Sequence, residues 1–234
     1  MSRQPTAVHV VVPAHDEAEL IGACLASVGA AVDRLQDSTR LTATVTVVAD
    51  SCTDATLEIA RCHGVDPLVV QARCVGRARD AGVRHVIAHD AMADLSHVWI
   101  AMTDADSVVC PRWLEEQFAS AAGGVDLWVG AVRPDPETMA PAVLREWSAR
   151  DLRSDELRVH GANLGFSAAT YLRAGGFPPL SEHEDVAFVR AVIDAGGTWV
   201  AGDATVQTSG RLRGRTPGGF AAYVRTLVAE LEQA

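Results

Sequence analysis

The order of apolar runs along this chain predicts an α/β fold with a mostly parallel central sheet and helices on both faces. Three observations carry that prediction. Short β-branched runs alternate with stretches of helical spacing, the pattern of repeated βαβ units. The 234 residues suffice for one domain with a sizeable core. At 48% hydrophobic and 21% charged, the composition is that of a globular protein rather than a disordered or fibrous one.

Residues 7–12 form a valine-rich run closed by Pro13 and read as a buried strand. Residues 17–29 carry Leu20, Ile21, Cys24, Leu25 and Val28 at helical spacing. Residues 42–49 (TATVTVVA) are a second strand, and 53–63 a second helix that Ser51 or Thr53 can cap. A third strand follows at 67–72, then a helix over 74–90 with Val75, Ala78, Val83, Val86 and Ile87 on one face. Residues 97–103 (HVWIAMT) are a fourth strand that runs straight into acids. Pro111 opens a helix, where proline is preferred. Residues 126–132 make a fifth strand, and 218–234 a C-terminal helix.

The formal charge is −10, which speaks against a nucleic-acid polymer as partner, because phosphate backbones require a basic face. All 20 basic residues counted as Lys or Arg are arginine. Lysine-dependent chemistry is thereby removed: no Walker lysine, no Schiff base and no kinase lysine. The five cysteines are scattered without a C-x-x-C pair and read as free thiols. No apolar run reaches the ~18–20 residues of a membrane span. The first apolar stretch breaks at Pro13, too early for a signal peptide, so a cytoplasmic location is expected.

Ligands of parallel sheets bind at the carboxyl ends of the strands. Three of those ends are acidic here: Asp16-Glu17, Asp50 with Asp54, and Asp104-Ala105-Asp106. Asp54 and Glu17 also read as ordinary helix caps. The pair Asp104 and Asp106 can approach one hard cation from the same side of a turn. Oxygen donors suit Mn2+ or Mg2+, with phosphate oxygens completing the shell. An exposed turn with two solvated acids is the plainer alternative. The stretch 209–215 (SGRLRGR) places three arginines on a glycine-containing loop, a fitting partner for a diphosphate or an ordinary surface loop. Arg73 and Arg77, after the third strand, either face a ligand at the strand ends or cover a helix surface. His85 and His89 lie i and i+4 with no third ligand in phase and read as a surface pair. His160 and His183 lie in the second half of the chain.

VVVPAHDE, VVADSCTDAT and AMTDADSVV resemble the nucleotide-binding half of family 2 glycosyltransferases of the GT-A fold. GANLGF at 161–166, then AGGFP, then Glu184-Asp185 are similar to that family's acceptor region and its E-D motif. The resemblance spans roughly residues 7 to 220. It implies a single GT-A domain with a nucleotide-sugar half over 7–107 and an acceptor half over 108–220. The expected donor is a nucleoside-diphosphate sugar and the acceptor a hydroxyl compound. Pro13, Ala14, Glu17 and Asp50 are implied in holding the nucleoside, and Asp104 and Asp106 in holding the metal, with Asp106 ahead as direct ligand. Arg77, Arg211 and Arg215 join the donor site; Gly161, Asn163 and His183 join the acceptor site. Asp185 is implied as the catalytic base, with Glu184 beside it. A carboxylate there has independent sense, since the acceptor hydroxyl must lose its proton as it attacks. First-turn acids matching a helix dipole are the plainer reading of that pair.

The chain departs from the family pattern at Ala49, where a first acid usually precedes Asp50, and at Asp16, which replaces an asparagine. The Q-x-x-R-W motif of processive synthases is absent, so addition of one sugar is expected. Among rivals, a nucleotidyltransferase lacks its glycine-rich basic loop here. A haloacid dehalogenase-type phosphatase would place D-x-D-x-[TV] after its first strand, not its fourth. A nucleotide-sugar-binding protein without turnover would lack the base.

Overall fold

The computed structural model describes residues 4–90, 93–151, 158–215 and 218–233. The first half alternates as expected: β1 (Ala7–Ala14), α1 (Ile21–Thr39), β2 (Thr42–Asp50), α2 (Thr56–Cys62), β3 (Leu68–Val70), α3 (Val75–His89) and β4 (Val98–Met102). Then follow β5 (Ser107–Val109), α4 (Trp113–Ala122), β6 (Leu127–Pro134), α5 (Pro141–Asp151), β7 (Leu164–Ser167), α6 (Ala168–Arg173), α7 (Glu184–Asp194), β8 (Trp199–Thr208) and α8 (Phe220–Glu232).

One sheet holds all eight strands in the order β3-β2-β1-β4-β7-β6-β8-β5. β1 pairs in parallel with β2 and β4, and β2 with β3. β7 runs against both β4 and β6, and β5 against β8, while β6 and β8 are parallel. β1 therefore has β2 on one side and β4 on the other. The chain leaves β1 in opposite directions there, which makes a switch point where a crevice opens beyond the strand ends.

The valine run of β1 is apolar on both faces because both faces are covered. Val8, Val10 and Val12 pack in one core with Ile21, Cys24 and Leu25 of α1, Ala60 of α2 and Trp113 and Leu114 of α4. Val11 packs in the opposite core with Ala78, Val83 and Val86 of α3, Tyr171 of α6 and Phe188 of α7. α5 and α8 form a third, smaller core around Trp147 and Leu227.

Helix α1 begins at Ile21, four residues later than the sequence suggests, because residues 17–20 form the turn whose Glu17 carbonyl accepts from Leu20 and Ile21. It also runs past Gly29 to Thr39, since Ala31 and Leu35 continue the buried stripe. Three strands have no counterpart in the sequence reading. β5 and β7 are three and four residues long, and β8 breaks register against β6 between Gly130 and Val132.

Candidate active site

The ends of β1, β2 and β4 open on one cleft of about 620 Å³. Pro13, Ala14, Glu17, Asp50, Asp104, Asp106, Arg211 and Arg215 all line it, together with Arg73. A cavity of that size matches a nucleotide-sized ligand.

Its floor is fixed by side chain to backbone bonds between loops. The Asp16 carboxylate accepts from the Thr53 N–H at 2.6 Å and the Asp54 N–H at 3.2 Å. Asp54 in return accepts from the Ala18 N–H at 3.0 Å. The loops after β1 and β2 thus clasp each other. Asp50 accepts from the N–H groups of Ala72, Arg73 and Cys74 at 2.7–3.0 Å and so anchors the loop after β3. Burial pushes its carboxyl up, but those three donors and Ser51 more than offset that and hold it below the ordinary range. Asp16, Ser51 and Arg73 adopt φ of 52°, 55° and 47°, and His183, ahead of α7, adopts 61°. Left-handed backbone at non-glycine positions persists only where the surroundings over-determine it, and here it gathers around the cleft.

Several of the cleft's acids and arginines are already paired with each other. Arg211 forks onto both oxygens of Glu17 at 2.5 and 2.6 Å, and its Nη2 lies 2.9 Å from Asp106 Oδ2. Arg215 donates to the Asp16 carbonyl and lies 3.5 Å from Glu17. Burial, then the charge of Asp104, pushes the Asp106 carboxyl up to about 6 against the pull of Arg211. Burial also raises Asp104; Arg79 and His160 oppose the rise, while Asp185 and Glu17 add to it.

Behind the cleft lies a second assembly. Arg79 projects from α3 into the interior, with 3% of its surface exposed. Its Nη2 donates to Asp104 Oδ1 at 2.5 Å, and its Nε lies 3.4 Å from Glu184 Oε1. The guanidinium rests on Gly161, where a Cβ would fall 1.4 Å from Nη1, so any side chain there would force Arg79 to shift. The Gly161 N–H donates to Asp185 Oδ2 at 2.7 Å. Asp185 Oδ1 accepts from the Val186 N–H at 2.8 Å. One buried cation thereby ties the D-x-D turn to the E-D turn at the start of α7.

Several expectations change here. Arg77 is exposed and does not line the cleft; two residues further along α3, Arg79 faces inward instead. Asn163 is not open to an acceptor. It is fully buried, accepts from Trp113 Nε1 at 2.8 Å and donates to the carbonyls of Ala131 and Ala204. Gly161 is likewise buried, its N–H taken by Asp185. Glu184 is 4% exposed and paired with Arg79, with burial raising its carboxyl against that pairing. Asp50 lines the cleft, but its oxygens are engaged with backbone N–H groups. Asp185 lies behind the cleft rather than in its lining, and His183 is exposed at the start of α7. Arg79 went unread because a buried arginine on an apolar helix face looks like any helix arginine. The close glycine at 161 becomes a signal only once the two segments are known to meet.

A family model described as glycosyl transferase family 2 matches residues 9–172. The chain belongs to that family. A glycosyltransferase family 2 domain therefore covers β1 through α6, including the D-x-D turn. A search of curated proteins finds no match. Among solved structures, S. aureus TarS residues 1–349 aligns with a TM-score of 0.61 at 15% identity, over 97% of this chain and 66% of that one. Glucosyl-3-phosphoglycerate synthase from Mycobacterium tuberculosis, in complex with Mn2+, uridine diphosphate and phosphoglyceric acid, aligns with a TM-score of 0.61 at 17% identity, over 97% and 78%. This family 2 chain spans just under two thirds of the TarS fragment and 40% of a longer TarS chain. The likenesses show a shared GT-A fold.

Among the described residues no group of three or more His, Cys, Asp or Glu side chains is arranged to hold a metal ion. Asp104 and Asp106 nevertheless fit Mn2+ or Mg2+. They are hard oxygen donors, and both line the cleft where a ligand's phosphate oxygens could complete the shell. Mg2+ is commonly held by one or two carboxylates, with substrate phosphates supplying the rest. Among the described residues no helix is long and apolar enough to cross a membrane.

Proposed function

We propose that this chain transfers one sugar from a nucleoside-diphosphate sugar to an acceptor hydroxyl, with inversion, and depends on Mn2+ or Mg2+. One observation carries the reading. The ends of β1 and β4 gather Glu17, Asp104 and Asp106 opposite the forked guanidinium of Arg211, in a nucleotide-sized cleft at the switch point of the sheet. Family membership supports it, as do the Mn2+ and uridine diphosphate bound by the mycobacterial synthase.

In this reading the whole chain works as one domain, with donor half 7–107 and acceptor half 108–220. Pro13 and Ala14 at the end of β1, and Arg73 on the loop anchored by Asp50, face the nucleoside. Asp106 and Asp104 hold the cation, which when bound neutralises the diphosphate as a leaving group. Arg211 turns its fork from the Glu17 carboxylate, and Arg215 its guanidinium from the Asp16 carbonyl, to phosphate oxygens. Arg79 keeps Asp104 in place. Asp185 takes the proton from the acceptor hydroxyl as its oxygen attacks the anomeric carbon. Its two backbone bonds leave lone pairs for that hydroxyl. Glu184 orients this turn through Arg79, and His160 and His183 flank the acceptor approach.

Thermal unfolding with UDP, GDP, CDP and dTDP, each with and without Mn2+, tests the reading. Ligand at 100 times its dissociation constant adds ~2.7 kcal/mol, a shift of several degrees. One nucleotide stabilising only with Mn2+ is the expected result and names the donor class. No metal-dependent shift with any of the four overturns it.

A further inference from the structure

The cation position beside Asp106 is taken by one of the chain's own side chains. Arg211 spends Nη1 and Nη2 on the two oxygens of Glu17 at 2.6 and 2.5 Å, and Nη2 also reaches Asp106 Oδ2 at 2.9 Å. The backbone below it is pinned. The Ser209 N–H donates to the Asp106 carbonyl at 3.1 Å and the Gly210 N–H to Thr138 Oγ1 at 2.8 Å. The guanidinium can therefore leave by turning about its side-chain bonds while its Cα stays beside the D-x-D turn.

We propose that Arg211 is an internal stand-in for the divalent cation, released only when a nucleoside diphosphate arrives to receive its fork. Metal and diphosphate then enter together, and the metal does not bind appreciably alone. The proposal rests on the donor-site reading above and adds the order of assembly to it.

Charge and geometry both carry it. Glu17, Asp104, Asp106 and Glu184 are met by three arginines, Arg79, Arg211 and Arg215, which leaves one negative charge unmatched. A dication added with Arg211 still in place would turn the group cationic and would sit next to a guanidinium already on Asp106. Unlike charges attract and like charges repel most strongly where water is excluded, and Asp106 is largely buried. Driving Arg211 off without a new partner forfeits a bidentate, charge-assisted pair. A diphosphate removes both obstacles, because it offers oxygens to Arg211 and negative charge to the incoming cation. Two ligands that each make room for the other are positively coupled, and the coupling is reciprocal.

The test titrates Mn2+ alone, read by the electron paramagnetic resonance signal of free Mn2+, into the wild-type chain, Arg211→Gln and Arg211→Lys. The titrations are repeated with saturating UDP, GDP, CDP or dTDP. Without nucleotide, Arg211→Gln is expected to bind Mn2+ about tenfold more tightly than wild type or better, as for a typical coupling between sites. Arg211→Lys, which keeps the charge but loses the fork, falls between them and serves if the glutamine variant does not fold. Mn2+ binding alone equally well to wild type and both variants, while a nucleotide still binds with Mn2+, overturns the stand-in and leaves the donor reading intact. Mn2+ binding to neither wild type nor variants with any of the four nucleotides overturns the donor reading and the stand-in with it.

Discussion

Arg79 donates to Asp104 across 2.5 Å from a site almost closed to solvent, with its guanidinium resting where a side chain at position 161 would stand. Removing one partner of a buried ion pair leaves the other charge uncompensated and costs about 3–5 kcal/mol. Arg79→Met is expected to lose stability in that range on urea unfolding. Gly161→Ala is expected to cost about 1–3 kcal/mol by overpacking. In the Arg79→Met background, which has no guanidinium to strike, the alanine is expected to cost much less. Additive effects in this double-mutant cycle would show that the two residues do not meet.

Asn163 binds one donor and two acceptors inside the core. Asn163→Leu strands the Trp113 indole N–H and the carbonyls of Ala131 and Ala204, each at a cost of about 1–3 kcal/mol. A loss of about 3 kcal/mol or more is expected in denaturant unfolding. Metal-dependent nucleotide binding by the fraction that folds should be retained. A nearly neutral substitution would return Asn163 to the list of acceptor residues.

Asp106 is expected to make donor binding pH-dependent. Its carboxyl is raised from 3.8 to about 6 in the ligand-free fold. A raised carboxyl favours the fold below its unfolded value, and that contribution is lost as pH climbs from about 4 through about 6. Metal needs the ionised form, so the stabilisation by Mn2+ with nucleotide runs the other way and fades as pH falls through about 6. Thermal shifts measured between pH 5 and 8 check both slopes, and Asp106→Asn is expected to abolish the ligand-dependent one.

Asp185→Asn keeps the shape of the side chain and removes its basicity. Transfer is expected to fall about 100- to 10 000-fold, the usual worth of a general base. The shift produced by Mn2+ and nucleotide should remain, since Asp185 lies outside the lining of the cleft. Undiminished transfer would remove Asp185 from the mechanism.

The half of the fold built from βαβ units was legible because its signals are local. The valines of β1, the acids closing β4 and the stripe of α3 each declare themselves within about ten residues. Of the strands after Asp106 only β6 was legible; β5 and β7 are short, and β7 takes its place between β4 and β6 through partners far away in sequence. At the site the residue types were readable, yet their orientation was not. Arg77 and Arg79 differ by two positions on one helix, about 200° of rotation, so one faces solvent and the other the core. Asn163 and Glu184 carry polar groups that sequence alone assigns to substrate, while the fold uses them to satisfy its own interior.

The clasp between the loops after β1 and β2 has a consequence for how such a chain can change. Asp16 depends on the backbone of Thr53 and Asp54, and Asp54 on that of Ala18. An insertion or deletion in either loop breaks bonds that only the other loop can restore. Lineages that acquire a different nucleotide preference through this region are therefore expected to remodel both loops in step, with positions 16 and 54 drifting as a pair rather than singly.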